Sequence, residues 1–309
     1  EMSVVAFVEE NRQVIKDIQP SFFEMTVAMA FEHFSREKVD IAVIEVGLGG
    51  RLDSTNIITP EVSLITNIGW DHMDTLGNSL DKIAFEKAGI IKNRVPAVIG
   101  TWQKETAPVF EKVAMERKAP LSYAPTMLPQ SYHLDLKGAY QRSNLHGVIE
   151  TVNVLRKTGW EITDEQLSNG LSRIVRNTGL KGRWQKMSDN PLTICDTGHN
   201  VDGVQWLVKQ ISGMKYRKLH LVLGFVNDKN VADILRLFPA DAEYTFCQST
   251  VPRAMPLDNI KGIAEGLNIV ASYIKDVNEA VNSAQAKAGY DHLVFVGGST
   301  FVVAELNDL

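Results

Sequence analysis

Cysteine is scarce in this sequence, with two in 309 residues. Both, Cys195 and Cys247, fall in apolar, strand-like runs, so a disulfide framework is excluded and two buried free thiols suit a reducing cytoplasm. No apolar run reaches the ~18 residues a membrane-spanning helix requires. The opening EMSVVAFVEENRQ reads as an amphipathic helix, without the basic start and small-residue cleavage site of a secretory signal. Nor is there a basic cluster. Lys and Arg number 32 against 37 Asp and Glu, a net charge of −5, which argues against nucleic acid as a partner. Internal repeats and low-complexity tracts are missing as well. The chain has no methionine at position 1 and opens in the middle of an amphipathic pattern, which leads us to expect a piece of a longer protein.

What is present is ordinary globular sequence: 44% hydrophobic and 22% charged, long enough for two domains at roughly 150 residues each. A helical spacing covers 22–34. VDIAVIEVG (39–47) is a continuous apolar run ending in glycine, the form of a buried parallel strand. EVSLITNIG (61–69) and VPAVIG (95–100) repeat it, with a helix expected over 79–91 between them. Helices are also expected over 144–157 and 164–177. After the NTGLKGR segment, a natural hinge, strands are expected at 192–195, 219–223, 243–247, 268–273 and 292–296, each followed by a helical pattern. Five such units predict a doubly wound parallel sheet.

In open α/β sheets, ligands gather at the carboxyl ends of the strands, and several polar runs fall there. VIEVGLGGRLDSTN (43–56) places Glu45 at a strand end, where it is expected to be buried, and sets Gly47, Gly49 and Gly50 where backbone approaches a phosphate. The bland reading is a glycine-rich turn with Glu45 paired to an arginine. As a dinucleotide fingerprint it fails, because Leu52 occupies the third glycine position. NIGWDHMDTLG (67–77) sets His72 between Asp71 and Asp74, as a metal ligand, an acid–base group or simply a solvated side chain. IAFEKAGIIK places Lys87 late in an apolar helix. Such a lysine snorkels or pairs with Glu86; desolvated, it is a reactive neutral amine. In TICDTGHN (193–200), Asp196 and His199 follow a strand and Asn200 is placed to cap the next helix. LGFVNDKN (223–230) and FVGGST (295–300) are loops of the same kind. His33, His133, His146, His220 and His292 stand apart from these clusters and read as surface or packing residues.

In their order, FEMTVAMAFEHF, VIEVGLGGRLDSTN, DHMDTLG, FEKAGIIK, YQRSN, GRWQ, DTGHN, GFVNDK and FVGGST resemble the motifs of the folylpolyglutamate synthase/dihydrofolate synthase family, in the Mur ligase superfamily. The resemblance spans nearly the whole chain. It implies an α/β protein of two domains: an N-terminally truncated central ATP-binding domain of P-loop type over 1–177, and a Rossmann-like, doubly wound glutamate ligase domain over 178–309. It implies an ATP-dependent ligase that forms an amide between L-glutamate and a folate through an acyl phosphate, whether extending tetrahydrofolate polyglutamate, converting dihydropteroate to dihydrofolate, or both.

By the same resemblance, Glu45 and His72 are expected to hold Mg2+ at the ATP phosphates, although a histidine is an unusual ligand for a hard cation. Lys87 resembles the lysine that takes up carbon dioxide as a carbamate. Asn144 and Arg183 resemble ATP contacts, Asp196 the ribose ligand, and His199 and Ser299 residues beside the incoming glutamate. The expected partners are these small molecules, in a cytoplasmic monomer without nucleic acid or membrane. Gly198 stands where the family often has alanine, and Asn230 where it often has aspartate. A loop of the form G-x-x-x-x-G-K-[ST] matches nothing in these residues. It is expected upstream of residue 1, so this polypeptide alone is expected to be inactive. The alternatives are a Mur-type amino-acid ligase and, in a different class, a non-catalytic nucleotide-binding module. Glu45, His72, Lys87 and His199 together argue against the module.

Overall fold

A computed structural model describes residues 2–128, 130–227, 230–307 and 309. The chain divides into two compact units. The first runs to Ile68, resumes over His72–Ala124 and takes in Asn153–Thr158; the second comprises Gly69–Asp71, Pro125–Val152 and Gly159–Leu309.

The first unit opens with three helices, α1 (Met2–Glu10), α2 (Arg12–Ile18) and α3 (Phe22–Glu37). A capping box starts α3: Glu24 N–H donates to Ser21 Oγ at 3.2 Å, and Ser21 N–H to Glu24 Oε2 at 2.7 Å. Next come β1 (Ser63–Ile65), α4 (Met73–Leu76), α5 (Leu80–Ala88), β2 (Ala97–Ile99), α6 (Ala107–Glu116) and β3 (Leu121–Tyr123). The three strands are parallel in the order β1-β2-β3. Their core gathers Ile65, Ile83, Ala97, Ile99 and Phe110 from sheet and helices.

The strand expected over 39–47 does not form. Residues 39–46 are irregular, Val39 and Ile41 are exposed, and Val43 is 92% exposed. An apolar run becomes a buried strand only where a ladder partner and covering layers meet it. Among the described residues β1 pairs only with β2, and no strand lies along 39–46. Glu45, expected to be buried, is exposed in consequence.

The second unit begins with α7 (Ala139–Lys157, its last turn belonging to the first unit), α8 (Asp164–Ser172) and α9 (Ile174–Thr178). The single helix expected over 164–177 is broken at Arg173. Then follow β4 (Gln185–Asp189), β5 (Leu192–Cys195), α10 (Val201–Ser212), β6 (Leu219–Leu223), α11 (Val231–Leu235), β7 (Glu243–Phe246), α12 (Leu257–Gly266), β8 (Ala271–Tyr273), α13 (Val277–Lys287), β9 (Leu293–Gly297) and α14 (Thr300–Ala304). The sheet order is β4-β5-β9-β6-β7-β8. All its pairings are parallel except β4 on β5, an antiparallel edge strand the sequence pattern did not predict.

Alternation along the strands separates two cores. Leu219, Leu221, Leu223, Tyr244, Phe246 and Phe295 pack with α10, α11 and α12. Val222, Val294, Val296, Cys195 and Cys247 pack with α13 and α14 on the other face. Connections after β5 and β6 therefore leave on one face and the helix after β9 on the opposite one, which opens switch points on both sides of β9. Both cysteines are free and fully buried, as expected, and burial pushes each thiol up to about 12, so neither is a nucleophile at neutral pH.

His220 and His292, which stand apart in sequence, form a buried pair on β6 and at the start of β9, 2% and 8% exposed. Arg217 donates to His292 Nε2 at 2.9 Å, so that nitrogen accepts and His292 Nδ1–H faces His220 Nε2 at 2.9 Å.

Candidate active site

Three motifs far apart in sequence meet within the first unit. The loop 47–53 lies against the C-terminal turn of α5. Arg51 N–H donates to the Glu86 carbonyl at 2.8 Å, and the Arg51 guanidinium grips the Glu86 carboxylate through Nε and Nη2 at 3.0–3.2 Å. The contact is too close for side chains: a Cβ on Gly89 would lie 2.3 Å from Arg51 Cα, and one on Gly50 would lie 3.0 Å from the Glu86 carbonyl oxygen. Gly49, at φ +68°, meets Leu76 of α4. Thus GLGGR, HMDTL and FEKAG share one corner, which carries Lys87, half-buried in the last turn of α5. His72 is exposed and precedes α4 in the left-handed conformation, at φ 52°. Glu86 pairs with Arg51.

Asp53 organises this loop, a role the sequence reading missed. Its Oδ2 accepts from Leu48 N–H at 2.8 Å and its Oδ1 from Thr55 N–H at 2.9 Å. Burial pushes its carboxyl up, but the Thr55 hydroxyl and the N–H groups of Leu48, Thr55 and Gly47 outweigh that and hold it below the ordinary carboxylate range. An N-cap aspartate ahead of Ser-Thr-Asn was the available signal.

Among the described residues no three His, Cys, Asp or Glu side chains come together as a metal cluster. Magnesium does not need one: it is held by one or two carboxylates beside phosphate oxygens and water. Glu45, an exposed carboxylate leading into the glycine loop, fits that demand; the imidazole of His72 fits it less well.

In the second unit the candidates collect at the carboxyl ends of β5 and β9. Asp196 is 2% exposed. Its Oδ2 accepts from Tyr140 O–H at 2.8 Å and Trp184 N–H at 2.7 Å, and its Oδ1 from Gly198 N–H at 2.8 Å. Burial raises this carboxyl, while those three donors and the Arg183 charge pull it back. Arg183 reaches Thr197 Oγ1 with its guanidinium. His199 Nδ1 sits 3.0 Å from the Thr197 carbonyl, and Asn200 caps α10 by accepting from Gly203 N–H at 2.8 Å, as expected. A Cβ on Gly297 would lie 2.8 Å from the Asp196 carbonyl oxygen, so the β5 and β9 loops touch through backbone. Ser299, on the β9 loop, is 2% exposed with Oγ accepting from Phe301 N–H at 3.1 Å. Asn144 is exposed on α7, one turn after Tyr140, and bonds Gln141 Oε1 at 3.0 Å. Asp228 and Lys229 of GFVNDK lie outside the described residues.

Two family models match: the Mur ligase middle domain over residues 4–122 and the Mur ligase glutamate ligase domain over 182–300. The folylpolyglutamate synthase of Lacticaseibacillus casei is 30% identical over 98% of this chain and 75% of its own length. The chain belongs to the folylpolyglutamate synthase family of Mur ligases. A structure of E. coli FolC in complex with ADP superposes with a TM-score of 0.85 at 27% identity, covering 98% of this chain and 74% of that one. A bifunctional folylpolyglutamate synthase/dihydrofolate synthase with Mn, AMPPNP and L-glutamate bound does so at 0.82 and 28% identity, over 98% and 74%. The α/β architecture of this family is the one described above for each unit.

Proposed function

We infer that the protein is an ATP-dependent ligase joining the amine of L-glutamate to a carboxylate of a folate. The observation that carries this reading is the conjunction, in a member of this family, of a charged corner on the glycine loop of one unit with an Asp196-centred cluster at the strand ends of the other. A carboxylate does not condense with an amine unaided. Transfer of phosphate from ATP makes an acyl phosphate, which glutamate attacks as phosphate leaves.

We assign Glu45 and His72 to the magnesium ion, whose charge offsets that of the phosphates. Lys87 is assigned to carbamate formation with carbon dioxide, Asn144 and Arg183 to ATP, Asp196 to the ribose, and His199 and Ser299 to the incoming glutamate. Chemistry supports the division of labour. Arg183 supplies a permanent cation suited to phosphate oxygens. Asp196, with three of about four acceptor positions used, retains one for a hydroxyl. Residues 1–177 are proposed as the ATP-binding domain and 178–309 as the glutamate ligase domain. No described helix is long and apolar enough to cross a membrane, and we propose a cytoplasmic monomer.

The test is glutamate-dependent ADP release by the complete protein, with dihydropteroate, with tetrahydrofolate and with a cell-wall precursor. Turnover with either pterin supports the reading. Turnover with the cell-wall precursor alone replaces it with a Mur-type amino-acid ligase, and nucleotide binding without turnover replaces it with a binding module.

A further inference from the structure

One carboxylate ties together three segments, each adjoining a residue assigned above. Tyr140 lies one helical turn before Asn144, so the two share a face of α7. Trp184 follows Arg183 and holds a left-handed backbone at φ 50°, a conformation that persists in a bulky residue only where the surroundings enforce it. Gly198 precedes His199. All three donate to Asp196 within 2.7–2.8 Å.

We propose that Tyr140 is a positioning residue for nucleotide binding: its phenol locks Asp196, and through it Asn144, Arg183 and His199, into one fixed arrangement. The proposal rests on the ATP-ligase reading. The tyrosine ring also packs against the core of the second unit, so its two contributions are separable. Phenylalanine keeps the ring and deletes only the hydroxyl.

Tyr140→Phe is expected to raise KM for ATP about tenfold, the size of one lost hydrogen bond to a charged acceptor, with kcat within about threefold of wild type. The Tyr140 donor favours the ionised form of Asp196. Its removal is therefore expected to move the acid limb of kcat/KM for ATP to higher pH. Tyr140→Leu is the companion variant. It is expected to match the KM of Tyr140→Phe while melting at a lower temperature, because it also opens a cavity. ADP affinity by calorimetry accompanies turnover, so the measurement does not depend on the folate chosen. A Tyr140→Phe enzyme with wild-type KM and an unmoved acid limb overturns the proposal, as does a KM that merely tracks the loss of melting temperature across the two variants. Measured on the complete protein, wild type that binds no nucleotide fells the ligase reading and this inference together; wild-type binding with an unaltered variant fells the inference alone.

Discussion

In the first unit, Glu45 and His72 stand exposed, and the loop that follows Glu45 is threaded by glycines pressed against α5 and α4. In the second, Asp196 is buried and held by three donors. The first arrangement separates the proposed chemistry from stability, because these two side chains are exposed while close backbone contacts of Gly50 and Gly89 carry the packing of the loop. The second merges the two, because removing the carboxylate we assign to the ribose leaves buried donors unpaired.

Substitution should expose this difference most strongly at Asp196. Asp196→Ala is expected to destabilise the protein by about 3 kcal/mol in urea melts, from orphaned N–H and O–H groups, and to abolish ATP turnover. Glu45→Gln is expected to leave stability within about 0.5 kcal/mol and to cut kcat roughly a hundredfold, as read by ADP release. If Glu45→Gln unfolded the protein, or Asp196→Ala left its melt untouched, the contrast would fail. Gly89→Ala, forcing a Cβ onto Arg51 of the glycine loop, is expected to cost about 2 kcal/mol by the same melts.

The smallest effect concerns pH. Burial lowers the pKa of His220 from its ordinary 6.5, aided by His292, Lys218 and Lys287 and opposed by Glu243. Arg217 and Asp291 flank its partner His292. Because the folded state resists protonation there, stability is full above 6.5 and declines as pH falls below it. His220→Gln should flatten that slope in melting temperature between roughly pH 7 and 5.

The strands of the second unit were legible because runs such as LHLVL and LVFVG are apolar throughout, as double burial requires. Residues 39–47 have the same look and remain irregular, since a pattern cannot tell whether a ladder partner is at hand. The edge strand β4, QKMSD, was hidden by its polarity: covered on one side only, it owes little to apolar burial. Tyr140 was missed for a related reason. YQRSN drew notice for Asn144, and nothing local marks a phenol aimed at a carboxylate 56 residues away. His220 and His292 likewise become a pair only when β6 and β9 align in register.

That unforeseen edge strand has a mechanical consequence. Gln185 pairs with Cys195 across the antiparallel ladder, and beyond it Thr197 N–H reaches the Gly182 carbonyl at 3.0 Å. The stretch bearing Arg183 and the stretch bearing Asp196 are thus two arms of one hairpin, stapled on either side of both residues. Neither arm can swing without its twin, so the arginine travels as a rigid tooth on the sheet's rim instead of flapping like an open loop.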